Sequence, residues 1–166
     1  MKILRRLLSF CAAILLLVGG TIFYVTVMPG KSFSGALPPL SGEESQIKAN
    51  LKKHVGYLAG EIGERNVIAY EPLQKTEQYI EDSFKALGYK VNSQEYTVQM
   101  RKVRNLIAEI PGGSMASEIV VIGAHYDTVD DCPGADDNTS GVAALLELAR
   151  LLKDSRPART IRFVAL

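Results

Sequence analysis

One histidine and several carboxylates fall within a short polar stretch, His125-Tyr126-Asp127 followed by Asp136-Asp137-Asn138. Residues at i and i+2 of an extended segment project to the same side, so Asp127 can lie beside His125. There it can accept a hydrogen bond from the ring nitrogen that faces away from a metal, which fixes the imidazole tautomer and raises its basicity. Asp137 follows a loop containing Pro133 and Gly134, and the chain can return it to the same place. Its two carboxylate oxygens could bridge two cations. Histidine with aspartate suits zinc, and a pair of metal ions suits hydrolysis.

The same residues admit simpler uses. Asp136, Asp137, Asn138, Thr139 and Ser140 are the types that cap orphan N–H groups at a helix start, and their charge suits the helix dipole. Capping accounts for the helix and leaves the His-x-Asp pair unexplained. A calcium loop built from Asp127, Asp130, Asp131, Asp136 and Asp137 is another alternative, since hard oxygen ligands suit calcium. It lacks the regular spacing of an EF-hand loop and gives His125 no part. Cys132 adjoins Pro133 in a turn and reads as a free thiol near the site, or one paired outside this chain, in preference to a ligand. His54 reads as a helix-face residue.

Three segments together resemble the M28 zinc peptidases, a family that includes co-catalytic dizinc aminopeptidases. They are His125-Tyr126-Asp127-Thr128-Val129, the run from Pro133 through Asp136-Asp137-Asn138 to Val142, and Arg159-Thr160-Ile161-Arg162-Phe163-Val164. The likeness runs from about Leu51 onward and is most specific from Val121 to Glu147. It implies that His125 is a terminal ligand of one zinc, Asp137 the carboxylate bridging two Zn2+ ions, and Asp127 the partner that orients His125. It further implies an aminopeptidase acting on peptide or protein N-termini, the two zincs polarising the scissile carbonyl and acidifying a bridging water. The family draws its other ligands and its general base from a Glu-Glu pair just after the strand that here ends Phe163-Val164-Ala165-Leu166, then from a later acidic residue and a later histidine. Those positions lie beyond Leu166, so the chain reads as the N-terminal part of such a domain, inactive alone. A single-zinc glutaminyl cyclase on the same fold and a non-catalytic, membrane-tethered interaction module are the alternatives.

Several elements must position these residues. The apolar run Ile119–Ala124 reads as a strand delivering His125, and Ser140–Lys153 as a helix with Val142, Leu145, Leu146, Ala149 and Leu152 at helical spacing. Thr160–Leu166 then reads as a second strand, parallel to the first. Val91–Met100 and Val103–Ile110 are further strands, the latter closed by Pro111-Gly112-Gly113. Helices are expected over Glu43–Ala59 and over Glu71–Leu87, with Pro72 in the first turn of the second and Gly88 as its stop. Between them lies a loop, Glu61–Tyr70, whose Arg65 and Asn66 are suited to hydrogen-bond other loops. The expected class is α/β: a mixed, largely parallel sheet flanked by helices, zinc-aminopeptidase-like, truncated, and preceded by one transmembrane helix. Ligands of such sheets collect outside the strand carboxyl ends, where His125 falls.

Residues 1–6 carry Lys2, Arg5 and Arg6, while residues 7–28 have no charge. Such a run can span a bilayer as a helix, with the basic tip cytoplasmic and the rest of the chain on the far side. A cleaved secretory signal is the alternative, opposed by the length of the run and the want of a small-x-small cleavage site. Residues 29–42 read as a Gly/Pro/Ser linker and residues 43–166 as the peptidase-like domain. A net charge of +1 gives no argument for nucleic acid. With Cys11 in the apolar run, the two cysteines form no useful intrachain bridge.

Overall fold

A computed structural model describes residues 2–27, 30 and 32–166. Met1 of the basic tip, Met28 at the end of the expected anchor, and Pro29 and Lys31 of the expected linker lie outside the described residues. The chain divides into two units, residues 1–39 and residues 40–166.

The first unit holds one helix, α1 (Lys2–Thr26), none of whose residues is buried. By length and composition it can cross a membrane. Its hydroxyls bond within the helix: Ser9 donates to the Arg5 carbonyl, Thr21 to Leu17 and Thr26 to Ile22, at 3.0, 2.9 and 2.7 Å. A polar group satisfied in this way costs little in an apolar medium. Residues 32–39 form neither helix nor strand.

The second unit opens with α2 (Gly42–Val55). Ser41 caps it, accepting from the Glu44 amide at 3.2 Å while the Glu44 carboxylate accepts from the Ser41 amide at 2.7 Å. This reciprocal pair satisfies two orphan donors and fixes the start one residue ahead of the expected Glu43. The helix leads into a wider, π-type turn over Gly56–Ile62, then into irregular chain to α3 (Tyr70–Ala86), stopped by Gly88 at φ +91°. Four strands follow: β1 (Val91–Val98), β2 (Arg101–Ile110), β3 (Met115–Ala124) and, after α4 (Gly141–Leu152), β4 (Arg159–Ala165).

The strand order is β1-β2-β4-β3. The sheet is mixed, as expected, but not largely parallel: parallel pairing is confined to β3 and β4, while β1 with β2 and β2 with β4 pair antiparallel. β3 begins earlier than Ile119 because a register irregularity lets Met115 pair with Arg159 before Ile119 pairs with Thr160. Alternate residues of β2, Leu106, Ala108 and Ile110, are buried in one cluster with Phe163 and Ala165 of β4, Ile80 and Phe84 of α3, and Val142, Leu145, Leu146 and Ala149 of α4. This period of two against the helical stripe of α4 makes a sheet-and-helix core. Glu147 of α4 is buried by accepting from Asn50 of α2 at 3.1 Å and from Arg150 at 2.8 Å, which joins the two helices. Burial alone would push its carboxyl up; the bonds from Arg150 and Asn50 outweigh that and hold it below the usual carboxylate range.

Candidate metal centre

β3 ends at Ala124, and the next residue is His125, so the imidazole emerges at the carboxyl end of the strand. The ladder with β4 continues past the strand ends: Leu166 donates to the Ala124 carbonyl and Tyr126 to the Leu166 carbonyl, both at 2.9 Å. His125 and Asp127 thus stand on backbone held by the parallel pair. Between them Tyr126 points inward, 3% exposed, and its hydroxyl donates to the Arg104 carbonyl at 2.7 Å. Burial raises the Tyr126 phenol well above its ordinary range, so the ring is a neutral anchor.

The His125 ring lies between two carboxylates. Its Nδ1 is 3.0 Å from Asp127 Oδ1 and its Nε2 is 2.9 Å from Asp137 Oδ1. All three side chains face solvent, Asp137 most of all at 82% exposure. The donor set fits a zinc ion: an imidazole nitrogen and a carboxylate oxygen converge, and a second carboxylate meets the far ring nitrogen.

The capping alternative separates into its parts. Asn138 Oδ1 accepts from the Gly141 amide at 3.1 Å, so it takes the capping role at α4. A Cβ at Gly141 would lie 2.2 Å from that same oxygen, so a larger residue there would displace the Asn138 side chain from this bond. Asp137 has extended dihedrals, φ −110° and ψ 97°, and with Asn138 interrupts the π-type turn over Ala135–Ser140; its carboxylate turns outward to His125. Gly134, at φ +57°, permits that turn; a Cβ there would sit 2.5 Å from the Asp137 carbonyl oxygen and from the Thr128 methyl.

The other sequence candidates lie elsewhere. His54 Nδ1 is 2.7 Å from the Tyr79 hydroxyl, and burial holds its imidazole below the usual range. Cys132 is a half-buried free thiol and Cys11 an exposed one. Among the described residues no group of three or more His, Cys, Asp or Glu gathers as for a metal ion.

The loop between the π-type turn and α3 holds Arg65 and Asn66, which bond other loops as expected. Arg65 is completely buried. Its backbone exchanges bonds with Thr128, the amide donating to Thr128 Oγ1 at 3.0 Å and the carbonyl accepting from the Thr128 amide at 2.8 Å. Asn66 Oδ1 accepts from the amides of Ile68 and Ala69, and its Nδ2 donates to Asp130 at 3.2 Å. Both residues brace the segment that carries His125 and Asp127. The only sequence signal was two polar residues in a loop, and their partners are too far along the chain to infer.

Three comparisons bear on this arrangement. Residues 105–166 match the sequence pattern of Peptidase family M28. The uncharacterized protein YfbL of Escherichia coli (strain K12) is 36% identical over 123 residues, covering 69% of this chain and 38% of that protein. Aminopeptidase YwaD of Bacillus subtilis (strain 168) is 50% identical over 48 residues, 29% of this chain and 10% of that protein. The solved structure of BSAP, a zinc aminopeptidase from Bacillus subtilis, superposes with a TM-score of 0.63 at 14% identity, covering 70% of this chain and 60% of that one. At such identity the likeness is one of fold. The chain spans less than two thirds of the length of each.

Proposed function

From the match of residues 105–166 to peptidase family M28, we propose that the protein is a membrane-anchored zinc aminopeptidase acting on peptide N-termini outside the cytoplasm. The observation that carries the reading is the His125 ring bracketed by Asp127 and Asp137 at a strand carboxyl end. His125 Nε2 and the Asp137 carboxylate would hold zinc, with Asp137 the bridge if a second ion is present. Asp127 would keep the His125 tautomer fixed by accepting from Nδ1–H. Bound zinc would supply a Lewis acid and an acidified water for amide hydrolysis. Relatives named as aminopeptidases support the peptide substrate.

The decisive assay takes the full-length protein, strips it with a chelator, restores it with zinc and offers aminoacyl p-nitroanilides beside N-acetylated ones. Zinc-dependent release from the free-amine substrates alone is the expected result. Absence of hydrolysis of either substrate by zinc-loaded, folded protein would favour the non-catalytic interaction module. The 166-residue chain assayed by itself should give no turnover above its His125→Ala variant, because its described residues bring together fewer than three candidate ligands.

For the anchor, the support is α1, long and apolar enough to span, behind the basic tip of Lys2, Arg5 and Arg6. On this reading residues 7–28 cross the membrane, 1–6 stay cytoplasmic, 29–42 form a tether and 43–166 lie on the far side. Alkaline carbonate should leave the protein in the membrane pellet, and protease added to the non-cytoplasmic face should digest the domain. Release into the supernatant, or protection of the domain, would overturn that topology.

A further inference from the structure

We propose that Arg65 is the positioning residue that sets His125 and Asp137 at a common point, an assignment that deepens the zinc reading and rests on it. Its guanidinium lies entirely within the protein and grips both segments that carry the candidate ligands. Toward the strand end, Nε donates to the Tyr126 carbonyl at 2.6 Å, and Tyr126 is the residue between His125 and Asp127. Toward the loop, Nη1 donates to the Pro133 carbonyl at 2.8 Å and Nη2 reaches Thr139 Oγ1 at 2.5 Å, so the two bonds fall on either side of Asp137. The Thr139 hydroxyl in turn donates to the Gly134 carbonyl at 2.6 Å, and the Thr139 amide donates to the same oxygen at 3.0 Å. The turn that displays Asp137 is therefore closed on itself and fastened to Arg65. Nη1 also donates to Gly63 at 2.8 Å, which ties the guanidinium back to its own loop.

A purely structural role explains this arrangement poorly. A buried cation is costly unless paired, and none of the hydrogen bonds of this guanidinium goes to a carboxylate; its acceptors are backbone carbonyls and one hydroxyl. An apolar side chain of similar volume would fill the space more cheaply. What it could not do is hold carbonyls from three separate segments in one fixed geometry, for which a planar fork of five N–H donors is suited. Lysine, with three donors on one nitrogen, cannot reach both sides of Asp137 at once.

The test uses the full-length protein and its Arg65→Met, Arg65→Lys and Thr139→Val variants, with Thr139→Ser as the conservative control and Arg104→Met as a control for general loss of stability. The Arg104 side chain pairs with Glu77 and Glu81, and only its backbone carbonyl, which methionine keeps, accepts from Tyr126. Zinc affinity is measured by competition with a chromophoric chelator at a temperature where each variant is folded, and the ligand-field spectrum of the cobalt-substituted protein is recorded. Both Arg65 variants should bind zinc about 10–100-fold more weakly, with a shifted cobalt spectrum. Thr139→Val should lose affinity in the same sense and Thr139→Ser should restore it. Hydrogen exchange of the metal-free protein should show the Thr128 and Thr139 amides opening while those of β4 stay protected. Unchanged affinity and spectrum in folded Arg65→Met, or an equal loss in Arg104→Met, would overturn the proposal; should the Arg65 variants fail to fold, unchanged affinity in Thr139→Val would do so. Failure of the wild-type protein to bind zinc would instead refute the metal reading beneath it.

Discussion

Asp137→Ala in the full-length protein should abolish zinc-dependent hydrolysis while leaving thermal stability within about 0.5 kcal/mol of wild type. The two halves of that expectation come from one geometry. Asp137 is 82% exposed, its carboxylate meets His125 Nε2, and the α4 cap is supplied by Asn138. Removing it takes away a candidate ligand and almost no packing. Asp127→Asn should be milder, lowering metal affinity or kcat/KM by about 10–100-fold, because it acts on the metal only through the His125 ring. The order of the two losses matters more than either size. Were Asp127→Asn as damaging as Asp137→Ala, Asp127 would be touching the metal or the substrate directly. Were Asp137→Ala to keep its activity, the nitrogen and oxygen that converge at 2.9 Å would be an ordinary hydrogen-bonded pair.

The site was partly legible because some of its logic is local. His125 and Asp127 are two apart on extended chain, and geometry alone puts them on one side. The helix α4 and the strands around it announced themselves by apolar periodicity, and β4 was expected within one residue of where it lies. Asp137 and Asn138 were ambiguous, since both types cap helices; only the extended dihedrals at Asp137 send one carboxylate to the histidine and leave the amide to the cap. Arg65 was legible only as a loop residue suited to bond other loops, and not which segments it would hold. Apart from the Thr139 hydroxyl its acceptors are the carbonyls of Leu58, Gly63, Tyr126, Pro133 and Gly134, and a backbone oxygen carries no residue-specific signal. The same holds for sheet order: which strand β2 joins is decided by long-range pairing with β4, whereas sequence neighbours suggest only the β1–β2 hairpin.

Phe163→Ala should destabilise the protein by about 3–5 kcal/mol, the range for a buried aromatic truncated in a core. Phe163 is fully buried on β4, where its partners are Ile122 on the parallel side and Ala108 on the antiparallel side. Its ring centroid lies 6.5 Å from that of Phe84 in α3 and 5.9 Å from that of Tyr89, so the side chain joins the sheet to the helical layer. A domain holds roughly 5–15 kcal/mol in all, and the loss would consume a large part of it. Urea denaturation should show a lower midpoint at an unchanged slope, the sign of lost stability in a still cooperative transition. Val121→Ala supplies the contrast: at 61% exposure on β3 it should shift the midpoint little. The consequence reaches the candidate metal centre through the strand ends, since β4 is the strand whose Leu166 end bonds Ala124 and Tyr126 on either side of His125. Folded Phe163→Ala protein should therefore lose protection at the Tyr126 amide before it loses it in α2. Equal loss at both would mean that the β3–β4 pair and the helices open as one unit, and that the site has no local route to disorder short of global unfolding.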